Sequence, residues 1–244
     1  MSNIVSICRR ELYSYFASPI AYVFIVIFLI LSAALAFFLG DLYERGQADL
    51  LPFFAFHPWL YLILVPAVAM RLWAEERKSG TIELLLTLPV GISQAVLGKF
   101  FAAWAFIGVA LALTFPVWLT VNYLGNPDNG VIVASYLGSW LMAGAFLAVG
   151  SAISASTSNQ VIAFILTVVV CFVLVAAGSP LVLAAFQAWG DNSIVDAISS
   201  LSFLTHYQAI SRGVLDLRDV LFFVIMIVAW LWATVLIISM NKAN

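Results

Sequence analysis

The chain alternates between long apolar runs and short segments that hold nearly all of its charged residues. A helix that crosses the hydrocarbon layer of a membrane needs roughly 20 consecutive, mainly apolar residues. Residues 129–190 hold no charge, and the polar stretch at 154–160 divides that run into two helices joined by a tight reversal. The pattern predicts an all-α, polytopic membrane protein with one transmembrane domain over residues 1–244. Its six predicted spans are 20–40, 58–72, 100–123, 133–153, 161–183 and 220–240.

The residues before the first span, 3–16, have the periodicity of an amphipathic helix. Its apolar stripe consists of Ile4, Ile7, Cys8, Leu12 and Tyr15. Arg9 and Arg10 fall outside that stripe, so the helix can lie in the membrane interface with its charged side in water. The alternative interpretation is an ordinary charged flank of the first span.

Small residues recur at every fourth position of the fourth span, at Gly144, Ala148 and Ala152. A row of small side chains lets neighbouring helices approach closely. We therefore expect this helix to pack in the centre of the bundle rather than to face lipid.

The distribution of basic residues predicts the orientation. With six spans, both termini lie on one side together with Arg9, Arg10, Arg71, Arg77, Lys78, Lys99 and Lys242. The other side holds Arg45, Arg212 and Arg218. Because basic residues are enriched on the cytoplasmic side, we expect cytoplasmic termini in a cell (inner) membrane. The segment 184–219 is then external.

The composition excludes several classes of protein. Of 244 residues, 64% are hydrophobic and 9% are charged, which is too little charge to cover a soluble domain. A net charge of −2 provides no basic surface for nucleic acid. The two cysteines, Cys8 and Cys171, lie far apart and predict neither a disulfide framework nor a metal site.

Charge is concentrated between the second and third predicted spans, in residues 71–89. The charged residues there are Arg71, Glu75, Glu76, Arg77, Lys78 and Glu83. Such a cluster must leave the membrane, and its second half reads as a short helix. Gly80 provides a joint, Thr81 can start the helix and Pro89 cannot continue it. The apolar positions Ile82, Leu85 and Leu86 share one helical face.

The stretch E-E-R-K-S-G-T-I-E-L-L-L-T-L-P-V, at 75–90, resembles the cytoplasmic coupling segment of ABC-2-type transporter permeases. The resemblance implies that the short helix docks into a cleft on a separate ATP-binding subunit. Under it, Glu75 and Glu76 set the helix junction and its polar contacts, and the apolar face fills the cleft. The implied ATPase-coupling residues are Glu75, Glu76, Arg77, Gly80, Thr81, Ile82, Glu83, Leu85, Leu86 and Pro89.

A second resemblance precedes the last span. Residues 203–220 resemble the segment that precedes the last span in ABC-2 permeases, especially those of the gliding-motility GldF group. Their sequence is F-L-T-H-Y-Q-A-I-S-R-G-V-L-D-L-R-D-V. The family implies a type V exporter-like fold, two ABC ATPase subunits and a second permease chain, identical or paralogous. It also allows an accessory external or membrane subunit.

Motifs for catalysis are missing from the chain. No phosphate-binding loop G-x-x-x-x-G-K-[ST] occurs, so we expect ATP and magnesium to bind on the partner ATPase. Ser151 and His206 suggest an intramembrane hydrolase only weakly, since no G-x-S-x-G accompanies them. The acidic residues at 75, 76 and 83 favour a docking surface over a metal or acid–base site, because Arg77 and Lys78 are expected to neutralise them.

The sequence thus predicts a non-enzymatic permease subunit that couples ATP hydrolysis elsewhere to export. A permease-like subunit that does mechanical or assembly work, in motility or metal-site maturation, is the alternative within this class. A membrane scaffold without transport is the alternative from another class.

Overall fold

A computed structural model describes residues 2–82, 90–179, 182–184 and 199–242, and every regular element in those ranges is helical. This confirms the all-α prediction for the described part of the chain. The helices are α1 (Ser2–Ala17), α2 (Pro19–Ala34, continued by a π-helical turn at Leu35–Leu39), α3 (Leu51–Ala55), α4 (His57–Ala69), α5 (Ala74–Ser79), α6 (Ile92–Ala112), α7 (Phe115–Leu124), α8 (Asn129–Ser156), α9 (Gln160–Ala176), α10 (Phe203–Ser211) and α11 (Leu217–Lys242).

Four helical stretches in the described ranges are long and apolar enough to cross a membrane. They are Pro19–Leu39, Ile92–Leu124, Asn129–Ser156 and Leu217–Met240. The other two predicted spans overlap α4, of 13 residues, and α9, of 17 residues. At 1.5 Å per residue these helices are about 20 Å and 26 Å long, less than the roughly 30 Å of hydrocarbon. Four candidate spans establish a multi-pass membrane protein, and six crossings remain a prediction.

The helix α6 begins earlier than the predicted third span. The pattern placed Lys99 in an aqueous flank before residue 100, but the helix starts at Ile92 and Lys99 is buried inside it. The start is set by Gly91, whose backbone N–H donates to the side chain of Gln94 at 3.4 Å. The prediction for Lys99 was wrong because it assumed that a charged side chain must lie in water. In the structure Lys99 pairs with carboxylates inside the protein.

The long helix α8 lies at the centre of the bundle and packs against α4, α6, α9, α10 and α11. Gly144, Ala148 and Ala152 are all buried on it. A β-carbon at position 144 would come within 2.8 Å of the Trp104 indole and 3.1 Å of Ile227. The missing side chain at Gly144 therefore lets α6 and α11 approach the same point on α8.

The start of α8 has a side-chain cap. Asp128 precedes the helix in an extended conformation, and its carboxylate accepts from the backbone N–H of Gly130 at 2.9 Å and of Val131 at 3.3 Å. These bonds satisfy donors that the first turn of a helix leaves without partners.

We expect Asp128→Ala to lower the free energy of unfolding by about 1 kcal/mol, because alanine cannot accept those two bonds. Unfolding in mixed micelles, followed by tryptophan fluorescence, measures the change. Asp128→Asn should keep most of the stability, and the exposed acidic residue Glu44 provides the control, Glu44→Ala. Equal losses for D128A and E44A would contradict the cap.

A small polar cluster lies inside the bundle between α4 and α8. His57 is fully buried, and its Nδ1 lies 2.8 Å from the hydroxyl of Ser139. Tyr61 contacts the same hydroxyl at 2.7 Å. These contacts tie the first turns of α4 to the middle of α8, which gives the short helix α4 a fixed position.

Candidate functional site

The first half of the charged segment is a helix, α5, and its start is held by α8. The Ser154 hydroxyl accepts from the backbone N–H groups of Trp73, at 3.1 Å, and Ala74, at 3.0 Å. It also donates to the carbonyl of Met70 at 3.0 Å. A serine on a neighbouring helix thus performs the role that an N-cap residue normally performs locally. Both backbone donors are buried, so losing the hydroxyl leaves them without partners.

Two further bonds fix α5 against the same end of α8. The indole N–H of Trp73 donates to the hydroxyl of Ser151 at 3.1 Å. The guanidinium of Arg77 donates to the carbonyl of Ala155 at 2.5 Å. Since Trp73 is almost completely buried, the helix cannot rotate or slide without breaking these contacts.

A third connection runs from α5 to α6 and α1 through Lys99. Its ammonium lies 2.7 Å from a carboxylate oxygen of Glu76 and 3.6 Å from one of Glu11. It also lies 5.3 Å from the centre of the Trp73 ring, within the range of a cation–π contact. The Lys99 side chain is only 5% exposed, so water screens these interactions little. We call the contacts of Trp73, Glu76 and Arg77 with Ser151, Ser154, Ala155, Lys99 and Glu11 the α5 anchor.

The α5 anchor corrects the predicted charge pairing in this segment. Arg77 and Lys78 were expected to neutralise Glu75 and Glu76 in an open loop. Instead Glu76 pairs with Lys99, and Arg77 binds a backbone carbonyl. Glu75 and Lys78 are exposed. The local prediction was wrong because side chains adjacent in a helix point in different directions, and α6 and α8 supply better partners.

The other predicted coupling residues lie where α5 ends. Gly80 has a φ of 72°, a left-handed conformation that ends the helix and favours glycine. The Thr81 hydroxyl lies 2.9 Å from that of Ser79, and Ile82 packs against the hydrophobic core. Glu83, Leu85, Leu86 and Pro89 fall outside the described residues, so the docking face of the predicted short helix remains a prediction.

The sequence interpretation missed six members of the α5 anchor, namely Glu11, Trp73, Lys99, Ser151, Ser154 and Ala155. One signal could have indicated Lys99: a single cation in an apolar stretch, on the same helical face as Ala95 and Ala103. Ser151 and Ser154 carried no usable signal, since small polar residues at the end of an apolar run also indicate a turn.

The structure gives Ser151 and His206 separate partners. Ser151 accepts from Trp73. His206, on α10, contacts the carboxylate of Asp219 at 2.6 Å and the carbonyl of Ser200 at 2.9 Å. Neither contact joins the serine to the histidine, so the weakly suggested hydrolase pair is not assembled.

Comparison with known proteins identifies a family for the chain. A family model described as "ABC-2 family transporter protein" matches residues 5–240. No curated protein matches the chain. The matched range holds the α5 anchor, most of α1 and most of α11.

Proposed function

Since the chain belongs to the ABC-2 family of transporter proteins, we propose that it is the permease subunit that couples ATP hydrolysis in a separate subunit to export across the cytoplasmic membrane. Membership of the family and four candidate spans make it a transmembrane ABC transporter subunit. Coupling to ATP and the direction of transport are the proposal.

The α5 anchor is the observation that carries the proposal. A segment that receives force from a partner must be connected to the helices that move. Here α5 is bonded to the end of α8 through Ser154 and Arg77, and to α6 and α1 through Lys99. A solvated loop would need none of these buried contacts.

The proposed assembly has two ABC ATPases and two permease chains, identical or paralogous, in a type V exporter-like arrangement. ATP and magnesium bind on the ATPases, and this chain contributes no catalytic residue. The distribution of basic residues supports an orientation with residues 75–89 and both termini on the cytoplasmic side of a cell (inner) membrane. An accessory external or membrane subunit is compatible with this assembly.

The contacts of α5 support the following mechanism. Closure of the ATPases on ATP displaces the helix that begins at Thr81, and Gly80 transmits the displacement to α5. Because α5 is bonded to α8 and α6, those helices tilt together. The cavity between two permease chains then opens outward and expels its contents.

We expect the double variant Glu83→Arg/Leu86→Arg to lose at least five-fold in co-purifying ATPase, because it places two cations on the proposed docking face. The permease is co-expressed with an ABC ATPase that co-purifies with the wild-type chain, and pull-down and ATP hydrolysis are measured. Glu44→Arg/Leu215→Arg is the matched control, since both positions are exposed and lie on the predicted external face. Normal ATPase recovery and activity in E83R/L86R would refute the docking assignment.

The similarity of residues 203–220 to gliding-motility permeases favours one second candidate, mechanical or assembly work. Purified complex in liposomes separates the two functions. Export predicts that a transported substrate stimulates ATP hydrolysis and accumulates on one side. Assembly work predicts ATP-dependent stimulation by a partner protein without flux.

A further inference from the structure

A cavity of about 260 Å³ lies beside the α5 anchor, between α1, α2, the end of α4 and α6. Its polar end is formed by the charged side chains of Glu11, Arg71, Glu75 and Lys99. The rest of its lining combines apolar side chains such as Phe24 with Ser14 and Ser18. The cavity therefore presents charged, polar and hydrophobic surface within one space.

A shallow, apolar groove continues from this cavity. The two share Phe24, Val68 and Phe106 as walls. From there the groove follows α2 to Phe28 and α6 to Ala110. Four residues of helix correspond to about 6 Å, so the groove leads away from the charges towards the middle of the membrane. A charged cavity continued by an apolar groove of about 30 Å³ has the order of polar and apolar surface that a phospholipid headgroup and the start of an acyl chain require.

Among the described residues, Arg71 is the cation in the cavity that makes no ion pair. Within the described ranges no carboxylate lies within 4.0 Å of its guanidinium, and its Nε is buried without a hydrogen-bond partner. Lys99, by contrast, is occupied by Glu76. A guanidinium presents planar, paired N–H donors that match two phosphate oxygens, and a buried donor without a partner is costly.

Glu75 is the corresponding anion. In the described part of the structure its carboxylate makes no ion pair, whereas Glu11 contacts Arg10 at 2.8 Å and Lys99 at 3.6 Å. The cavity thus offers one unpaired cation and one unpaired anion. An anionic headgroup would satisfy Arg71 alone and would be repelled by Glu75, whereas a phosphate that carries an ammonium satisfies both.

Tyr15 lies in the wall of the same cavity and stacks on Phe106, with 5.2 Å between ring centres. Burial raises the pKa of Tyr15 well above its usual range, and the Glu11 carboxylate raises it further. The phenol therefore stays protonated at neutral pH and can donate to a phosphate oxygen.

We propose that this cavity binds one phospholipid with a phosphoethanolamine headgroup, its phosphate on Arg71 and its ammonium on Glu75. The acyl chain enters the groove along α2. Lipid binding requires only that the protein lies in a membrane. A negative result for this site would therefore leave the proposed coupling to an ATPase unaffected, and the reverse also holds.

Lipid retention measured by native mass spectrometry tests the site. The purified protein is equilibrated in micelles with equal amounts of phosphatidylethanolamine, phosphatidylglycerol and phosphatidylcholine. We expect at least five-fold preference for phosphatidylethanolamine in the wild type. Arg71→Gln should abolish that preference, and Glu75→Gln should shift it towards phosphatidylglycerol. Arg9→Gln removes an exposed cation on the same predicted face and should change nothing.

Three outcomes overturn the proposal: equal retention of the three lipids, equal behaviour of R71Q and R9Q, or preference of the wild type for phosphatidylglycerol. Displacement of the lipid by equimolar soluble phosphoethanolamine would assign the cavity to a small molecule instead. If R71Q does not fold, Arg71→Lys keeps the charge without the paired donors and should reduce retention by at least two-fold.

A photo-crosslinking residue at Ile20, on the rim of the cavity, distinguishes lipid from protein. The proposal predicts a cross-link to phosphatidylethanolamine. Cross-linking only to a second permease chain would show that the groove is a protein interface and would overturn the lipid assignment.

Discussion

Lys99→Met should lower the free energy of unfolding by about 3 kcal/mol, because it leaves the partly buried Glu76 and Glu11 carboxylates without their shared cation. The methionine keeps the length and packing of the side chain, so the loss of stability measures mainly the effect of removing the charge. Unfolding in mixed micelles followed by tryptophan fluorescence measures it.

Two variants make this expectation specific. Lys78→Met removes an exposed cation from the same segment, and its effect should stay within about 0.5 kcal/mol. The double variant Lys99→Met/Glu76→Gln should lose less stability than the summed losses of its two single variants, because the Glu76 carboxylate that lies nearest to Lys99 is neutralised. A K99M protein as stable as K78M would show that the buried ion pair contributes nothing.

Gly150→Ala should lower the free energy of unfolding by about 2 kcal/mol. A β-carbon at position 150, on α8, would overlap that of Ala69 at the end of α4. It would also come within 3.0 Å of the Thr167 methyl group on α9. Because the overlapping β-carbon of Ala69 is attached directly to backbone, relief requires the helices to separate. The same unfolding assay measures the change.

Gly91→Ala is the control, since a β-carbon there would meet nothing closer than 3.8 Å. The pair Gly150→Ala/Ala69→Gly transfers the methyl group from one helix to the other. This double variant should lose less free energy of unfolding than the two single variants lose together. A loss equal to their sum would argue against close packing at this crossing.

The long apolar helices could be predicted from the sequence because few charges interrupt them. Pro19 begins α2, and a turn with Asp128 as its cap begins α8, so hydropathy and local start signals agree there. The central position of α8 follows from its small residues in the same way. These are local properties, and a single sequence carries them.

The α5 anchor could not be predicted, because it joins residues that are distant in the chain. Lys99 meets Glu76 and Glu11 only after α6, α5 and α1 have packed together. Ser154 caps α5 from another helix, so no spacing near Trp73 reveals it. Charge in the sequence indicated where the segment leaves the membrane, but packing decides which charges pair.

The choice between four and six crossings also depends on packing. α4 is shorter than the hydrocarbon layer, yet it is buried over most of its length. Most of its side chains pack against other helices, and Trp59 and Ile63 are the exposed ones. A threshold of length and hydropathy identifies helices that are surrounded by lipid. It does not decide whether a helix that is largely enclosed by other helices crosses the membrane.

The uninterrupted course of α8 has a mechanical consequence. Its 28 residues make a rod about 42 Å long, and Gly144 lies near its middle, where both α6 and α11 come close to it. Under the proposed coupling, this crossing is the point about which α8 turns relative to α11. A sideways push at Ser154 would then move the Asn129 end in the opposite direction by a comparable amount, without a bend in α8 itself.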